Sequence, residues 1–398
     1  IKKDPENRRS TGDEQMNVFL RSRRKKFTNL LLIFMLIPSL QACADLKEIN
    51  NIAIVTATRI DMNNEGKIEV TIQLFLPQTP SMGSQNPSQI TQFAVLTSTG
   101  DTISEAVNNI EKRVSRQLFR GHERAIIIGE RMASKHMNDV LDYCIRFREI
   151  RERTLLFVTK EPAPRLLQYE PFMEKNSGEI LNKYVKKDGN LSMTLKDIVV
   201  MRANPSHSYI IPMVAILNPT KKGERQILKI TQSALFSHGK MVGTMSNNLT
   251  YGQQILNHKF WQTVFSLKFK KDPGKVGINI QNVKAKITPI IHNGQWTIQA
   301  RITGDEVIFE NTTHWSTTNL KTAERVDHAV GRIVSENIRK SVRKSQKMKS
   351  DVFNFYNTFY RKYPSECLKV EKNWSDVYPT INVKVTTNFH LIHSGIAQ

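Results

Sequence analysis

Residues 27–37 (FTNLLLIFMLI) form an apolar run, and a lone cysteine, Cys43, follows shortly after it. A membrane-spanning helix needs about 20 consecutive apolar residues, so this run is too short to be one. Five cations stand before it, Arg21, Arg23, Arg24, Lys25 and Lys26, and Pro38 and Ser39 lie just after it. Basic region, apolar region, then small residues is the order of an export signal. The first 42 residues are therefore expected to be leader and signal peptide, and whatever folds must come from the remainder. The first methionine is Met16; the polar stretch 1–15 is expected to lie upstream of the true precursor.

Leu40-Gln41-Ala42-Cys43 resembles the bacterial lipobox, Leu-x-Ala/Gly-Cys. Ala42 suits a small peptidase pocket, and the Cys43 thiol would take a diacylglycerol through a thioether. With an added acyl chain, membrane attachment becomes stable where a single chain gives only reversible binding. The competing reading is an ordinary cleaved signal in which Cys43 is incidental. Cys144 and Cys367 are the other two cysteines, too few for a disulfide framework. The first 42 residues hold nine Lys and Arg against four Asp and Glu, so residues 43–398 keep 49 against 32. The basic excess belongs to the exported part. That disfavours nucleic acid as partner and favours an anionic membrane face or cell-wall polymer.

Hydrophobic periodicity predicts mixed secondary structure. Ile68, Val70, Ile72, Leu74 and Leu76 alternate as in a half-buried strand, and Pro77 ends it before a Pro/Ser/Gln-rich loop over 77–90. Ile103, Val107, Ile110, Val114 and Leu118 recur at helical spacing. The apolar runs 125–128 and 155–158 flank a helix over 131–147, which reads as a βαβ-like unit with parallel strands. Residues 161–202 are mostly helical in pattern. Three prolines and a basic tail place a linker at 206–226, between an N-terminal α+β domain (43–205, possibly two lobes) and a C-terminal α+β domain (227–398). In the latter, Gly239 marks a hairpin, and Trp296, Ile298, Ala300 and Ile302 alternate. A long helix is expected over about 320–348, with Val326, Val330, Ile333, Val334, Ile338 and Val342 on one stripe. Its far end carries Arg339, Lys340, Arg343, Lys344 and Lys347, with Lys349 just beyond. Either this is a solvated charged face, or it is an interaction surface for anionic lipid or an acidic partner. A last strand is expected over 380–391.

A search for catalytic chemistry returns little. The sequence has no Gly-rich phosphate loop, H-E-x-x-H, C-x-x-C or G-x-S-x-G. His390 and His393 have no cysteine or carboxylate pair close by to complete a metal site, so surface histidines are the plainer reading. Glu149 and Glu152 sit among Arg148, Arg151 and Arg153, as in a solvated ion-pair cluster. Cys144 reads as a buried thiol, and a Cys144–Cys367 bridge would have to join two domains. Phe353, Phe355, Tyr356, Phe359, Tyr360, Tyr363, Trp374 and Tyr378 could stack single-stranded nucleic acid. Export removes that substrate, and a packed subdomain between long helix and last strand is expected instead. No cofactor is implied.

Three segments, taken in order, resemble the Ger(x)C family, the lipoprotein C subunits of bacterial spore nutrient germinant receptors. They are CADLKEINNIAIVTATRID; RQLFRGHERAIIIGE with LDYCIRFREIRERTLLFVTK; and DVFNFYNTFYRKYP with WSDVYPTINVKVTTNFHLIHSG. Residues 1–15 have no counterpart in the family, and Cys144 is not part of its pattern. The resemblance implies an elongated, multi-lobed α+β protein with mixed β-sheets packed by helices. It implies a diacylglycerol anchor on Cys43 at the outer face of the inner spore membrane, and two integral membrane partners, an A subunit and a permease-like B subunit. It implies no enzyme. An exported cell-wall hydrolase or polymer-binding lipoprotein is the alternative; a hydrolase would show a pocket with two carboxylates of split pKa.

Overall fold

Two short runs, AIIIG and LLFVT, are buried at every residue and lie side by side as parallel strands. Strands without alternation are covered on both faces, and helices supply the cover here. The computed structural model describes residues 51–76, 93–171, 173–186, 189–260, 262–269, 272–315 and 319–393. The leader, Cys43 and the 77–90 loop lie outside the described residues.

The first sheet takes β1 (Ile52–Met62), β2 (Ile68–Phe75), β3 (Phe93–Gly100), β4 (Gln117–Phe119), β5 (Ala125–Gly129), β6 (Leu155–Thr159), β7 (Ser208–Leu217), β8 (Ile227–Ser237) and β9 (Lys240–Ser246). Their order is β3-β2-β1-β5-β6-β7-β8-β9, with β4 beside β1. The central β1-β5-β6-β7 pairs are parallel and the flanks antiparallel. The second sheet runs β10 (Gln262–Phe269), β11 (Asp272–His292), β12 (Gln295–Asn311) and β13 (Asn382–His393), antiparallel except for β12–β13. The helices are α1 (Ile103–Glu111), α2 (Glu130–Lys135), α3 (Met137–Arg146), α4 (Ala163–Leu167), α5 (Ser177–Lys186), α6 (Leu195–Arg202), α7 (Asn247–Leu256), α8 (Leu320–Lys347), α9 (Phe355–Tyr360), α10 (Pro364–Val370) and α11 (Trp374–Val377). The fold is α+β, with two mixed sheets packed by helices.

One face of the first sheet packs Ile126, Ile128, Leu156 and Val158 against α1 and α3. The other packs Ala125, Ile127, Leu155 and Phe157 against α4 and α5. The first of these cores continues into the second sheet and α8, and residues 53–398 form one compact unit. The α8 stripe Val326, Val330, Val334, Ile338 and Val342 is buried. Each such side chain contributes roughly 1.5–3 kcal/mol. Helix α8 lies on the face of β13 that carries Val385, Thr387 and Phe389. It comes so close that a Cβ on Gly331 would stand 2.6 Å from the Thr387 hydroxyl. The β8–β9 hairpin turns at His238–Gly239, both at positive φ, the geometry that a two-residue turn between twisted strands requires.

Three expectations from the sequence need correction. Residues 208–217, assigned to a linker, are the buried strand β7. Pro212 misled because it lacks a ladder donor. It is tolerated here since β7 meets β6 only at Met213 and Val214, where the pairing with β8 also bulges. Residues 227–246 likewise complete the first sheet as β8 and β9. The helix from Ile103 stops at Glu111, and Leu118 belongs to β4, so its helical spacing was coincidental. The single helix over 131–147 is two, α2 and α3. They break at His136 (φ −128°, ψ 25°), a kink marked by neither glycine nor proline.

Candidate functional site

The segment Arg120–Glu123 anchors the middle of the first sheet. Arg120 Nε and Nη2 donate to the two Glu123 carboxylate oxygens at 2.9 and 3.0 Å. Nη1 donates to the Tyr143 hydroxyl at 2.5 Å, and Nη2 to Thr58 at 3.2 Å. Both members of the ion pair are buried. Burial opposes the Arg120 charge, but Glu123 and Tyr143 beside it more than offset that and raise its pKa. Burial also pushes the Tyr143 phenol and the Cys144 thiol up to about 12. Arg120, Glu123 and Tyr143 are thus buried and joined by hydrogen bonds through the guanidinium. Glu149 accepts a bond from the Arg120 backbone N–H, which gives it a structural tie. Cys144 and Cys367 are free buried thiols on α3 and α10.

The closing aromatic residues pack on one another and on Trp296. Trp296 stands edge-on to Phe359 at 4.7 Å and to Trp374 at 5.7 Å, and Tyr356 meets Trp374 at 5.2 Å. Buried Asp351 organises them, accepting from the backbone N–H groups of Phe355 and Tyr356 and from Trp374 Nε1. Burial lifts its carboxyl to about 6 against these donors and the Phe353 backbone N–H. Rings engaged in this way are core. On β13, His390 is exposed and bonded to Asn388. No group of three His, Cys, Asp or Glu able to hold a metal occurs among the described residues.

The basic helix end is partly used up internally. Arg339 donates to the Val385 carbonyl of β13 at 3.1 Å, Lys340 pairs with Glu336 at 2.7 Å, and Lys349 with Asp376 at 2.7 Å. Arg343, Lys344 and Lys347 have no ion-pair partner among the described residues. Arg343 and Lys347 are exposed and Lys344 is half-buried, with Arg343 one turn beyond the Arg339 that reaches β13.

The second sheet has a further basic face, which sequence reasoning missed. Inward residues such as Ile298, Ala300 and Ile302 are buried in the core shared with α8, and the alternate positions face outward. Register puts Lys286 directly opposite Arg301, Lys268 opposite Lys275, and Lys384 opposite Gln299 beside Arg301. Lys268, Lys275, Lys284, Lys286, Arg301 and Lys384 are all exposed, and none has a carboxylate partner among the described residues. Lys286, Arg301 and Lys384 ring a hollow of about 330 Å³ with Thr288, Gln299 and Thr386. At the other end of this face Val264 and Phe309 are 62 % and 66 % exposed. The sequence offered only short local signals, Lys-x-Lys at 284–286 and at 268–270, and pairing with residues far along the chain is what assembles the patch.

No helix among the described residues is long and apolar enough to cross a membrane. Comparison with known proteins accounts for nearly the whole chain. The spore germination protein N-terminal domain matches residues 45–216, and the spore germination B3/GerAC-like C-terminal domain matches residues 231–395. Spore germination protein KC of Bacillus subtilis (strain 168) is 23 % identical over 390 residues, covering 92 % of this chain and 96 % of that protein. Spore germination protein B3 of the same organism is 22 % identical, covering 93 % and 99 %. GerQC of Bacillus cereus is 22 % identical, covering 92 % and 99 %. The crystal structure of the GerBC protein shares the fold, with a TM-score of 0.56 at 17 % identity, covering 87 % of this chain and all of that one. With both domains present in order, the chain belongs to the spore germination B3/GerAC-like family.

Proposed function

We propose that this chain is a membrane-anchored lipoprotein subunit of a spore nutrient germinant receptor, acting in germination by assembly and not by catalysis. The observation that carries this reading is the in-order match of both family domains, the first of which begins at residue 45, two residues after Cys43. A diacylglycerol on Cys43 would hold the protein at the outer face of the inner spore membrane. Integral A and B subunits are its partners. Arg343, Lys344 and Lys347, left without ion pairs among the described residues near the end of α8, are the part of the predicted surface that an acidic partner would use.

Co-purification tests this. Tagged A or B subunit is expected to recover the chain, and reversing Arg343, Lys344 and Lys347 to Glu is expected to weaken recovery while leaving the fold intact. Labelling with radioactive fatty acid is expected to be lost in Cys43→Ala; label kept in that variant rules out Cys43. Turnover of cell wall by the purified chain would overturn the assembly reading.

A further inference from the structure

We infer that the open face of the second sheet docks on an anionic phospholipid surface. The inference rests on the membrane-anchored reading above and says which side of the molecule meets the bilayer. Six exposed cations, Lys268, Lys275, Lys284, Lys286, Arg301 and Lys384, lie on this face without a carboxylate partner. Two acids share this face: Asp305, which is bonded to Asn282, and exposed Glu310 opposite Gly277, which makes no ion pair among the described residues. Two of the cross-strand pairs, Lys268–Lys275 and Lys286–Arg301, oppose like charges directly. Such pairs are destabilising in the free protein. They are relieved when a layer of negative charge lies over them.

The geometry favours a surface over a pocket ligand or a protein partner. Strands stand ~4.8 Å apart and rise ~3.3 Å per residue, so from Lys275 to Lys286 the array runs over up to ~35 Å along one twisted face, through bulges at 277–278 and 281–284. A single small anion could engage only the Lys286–Arg301–Lys384 end. Protein interfaces draw on Tyr, Trp and Arg at their centre and are poor in Lys. This face instead carries five Lys, one Arg, and Thr, Asn and Gln between them. Phe309 and Val264, the strongly exposed apolar side chains of the face, would enter the headgroup layer.

Helix α8 packs on the other face of the sheet, so Arg343, Lys344 and Lys347 are not part of this array.

The test uses the chain from Ala44 onward, which keeps the whole compact unit 53–398 and carries no lipid. It is sedimented with phosphatidylcholine vesicles, with and without phosphatidylglycerol. Each basic residue near an anionic surface is worth roughly a five-fold change in partitioning. The combined change Lys286→Glu, Arg301→Glu, Lys384→Glu is therefore expected to lower binding to the anionic vesicles by at least about 10-fold. Added salt is expected to do the same. Phe309→Ser should remove part of the binding that survives high salt. Reversing Arg343, Lys344 and Lys347 should leave binding within about two-fold. A neutral Lys286→Gln, Arg301→Gln, Lys384→Gln variant, checked by thermal melting, separates charge loss from misfolding. Absence of preference for anionic vesicles in the unmutated chain overturns the proposal. So does equal damage from the helix variant, or displacement by soluble polyphosphate at matched phosphate concentration, which would mark a soluble-anion site. Fatty-acid labelling of Cys43 and recovery with the A and B subunits do not involve this face. Either proposal can therefore fail while the other stands.

Discussion

The two sheets treat charge in opposite ways. The first, covered on both faces at its centre, keeps its buried cations against carboxylates: Arg120 reaches Glu123, Tyr143 and Thr58, and Arg59 meets Asp61 at 2.6 Å, although Arg59 Nε and Nη1 carry no hydrogen bond. The second has one face under α8 and one face open. It leaves six cations unpaired on the open side, and on the covered side it buries Glu306 with neither carboxylate oxygen hydrogen-bonded. Unpaired charge lowers stability, and a protein carries it where a partner or a change of state makes use of it. The first sheet is thus the structural frame and the second the surface that answers to its surroundings.

The largest expected effect tests the frame. Glu123→Gln strands the buried Arg120 charge and is expected to cost about 3–5 kcal/mol. Urea unfolding measures it. Replacing both partners, Arg120→Met with Glu123→Leu, is expected to regain most of the loss, since the pair's worth lies in mutual compensation. If Glu123→Gln costs under about 1 kcal/mol, the contrast between the sheets fails.

The same contrast explains what was legible in the sequence. Helix and strand periodicity is local, so the β2 alternation, the βαβ step at β5–β6 and the α8 stripe could be read directly. The resemblance rested on three segments, each of which carries core: the first supplies Val55, Ala57 and Ile60 of β1. RGHE supplies the Arg120–Glu123 pair, and the closing segment supplies Phe355, Tyr356 and Phe359 around Asp351. What escaped was set by tertiary context. Pro212 hid a strand because only its register shows that its missing donor is harmless. His136 hid a helix break. The basic helix end was conspicuous since its charges are consecutive on one helix, yet Arg339 and Lys340 turn out to be partnered within the fold. The sheet face was invisible since Lys268, Lys286, Arg301 and Lys384 meet only through strand pairing.

A second, smaller effect concerns Glu306. Burial first, and the neighbouring Asp327 of α8 second, raise its carboxyl to about 8 from an ordinary 4.5. Asp327 is itself raised by burial, while the Leu391 backbone N–H, His390 and His328 pull it back and Glu324 adds to the rise. Between about pH 4.5 and 8 the folded chain holds a proton that the unfolded chain has lost. Stability therefore falls as pH rises through that window, and the loss is complete above it. Glu306→Gln removes the penalty. Relaxation toward water on ionisation reduces the full linkage, so a gain of about 2 kcal/mol is expected at pH 8, shrinking to near zero at pH 4.5. Urea midpoints at the two pH values measure it. An equal gain at both would show that Glu306 is not held protonated, and the covered side of the second sheet would then resemble the first.

The smallest effect is the sharpest for the open face. Lys286→Glu converts a like-charge cross-strand pair with Arg301 into an opposite-charge pair. Most substitutions lower stability, but this one is expected to raise that of the free protein by about 0.5 kcal/mol, because cross-strand pairs contribute roughly 0.2–1 kcal/mol and the sign here is reversed. Both side chains are exposed, so the gain should fade as salt rises. Lys284→Glu is the control. It lies on the same strand and face, but its cross-strand neighbour is Thr303, with no charge to meet. Thermal melting of the two variants at low and high salt separates pair relief from a general reduction of positive charge. Equal gains would mean that net charge alone matters. A gain confined to Lys286→Glu, in a variant that also binds anionic vesicles less well, would show that the arrangement costs the free protein stability and serves the bound one.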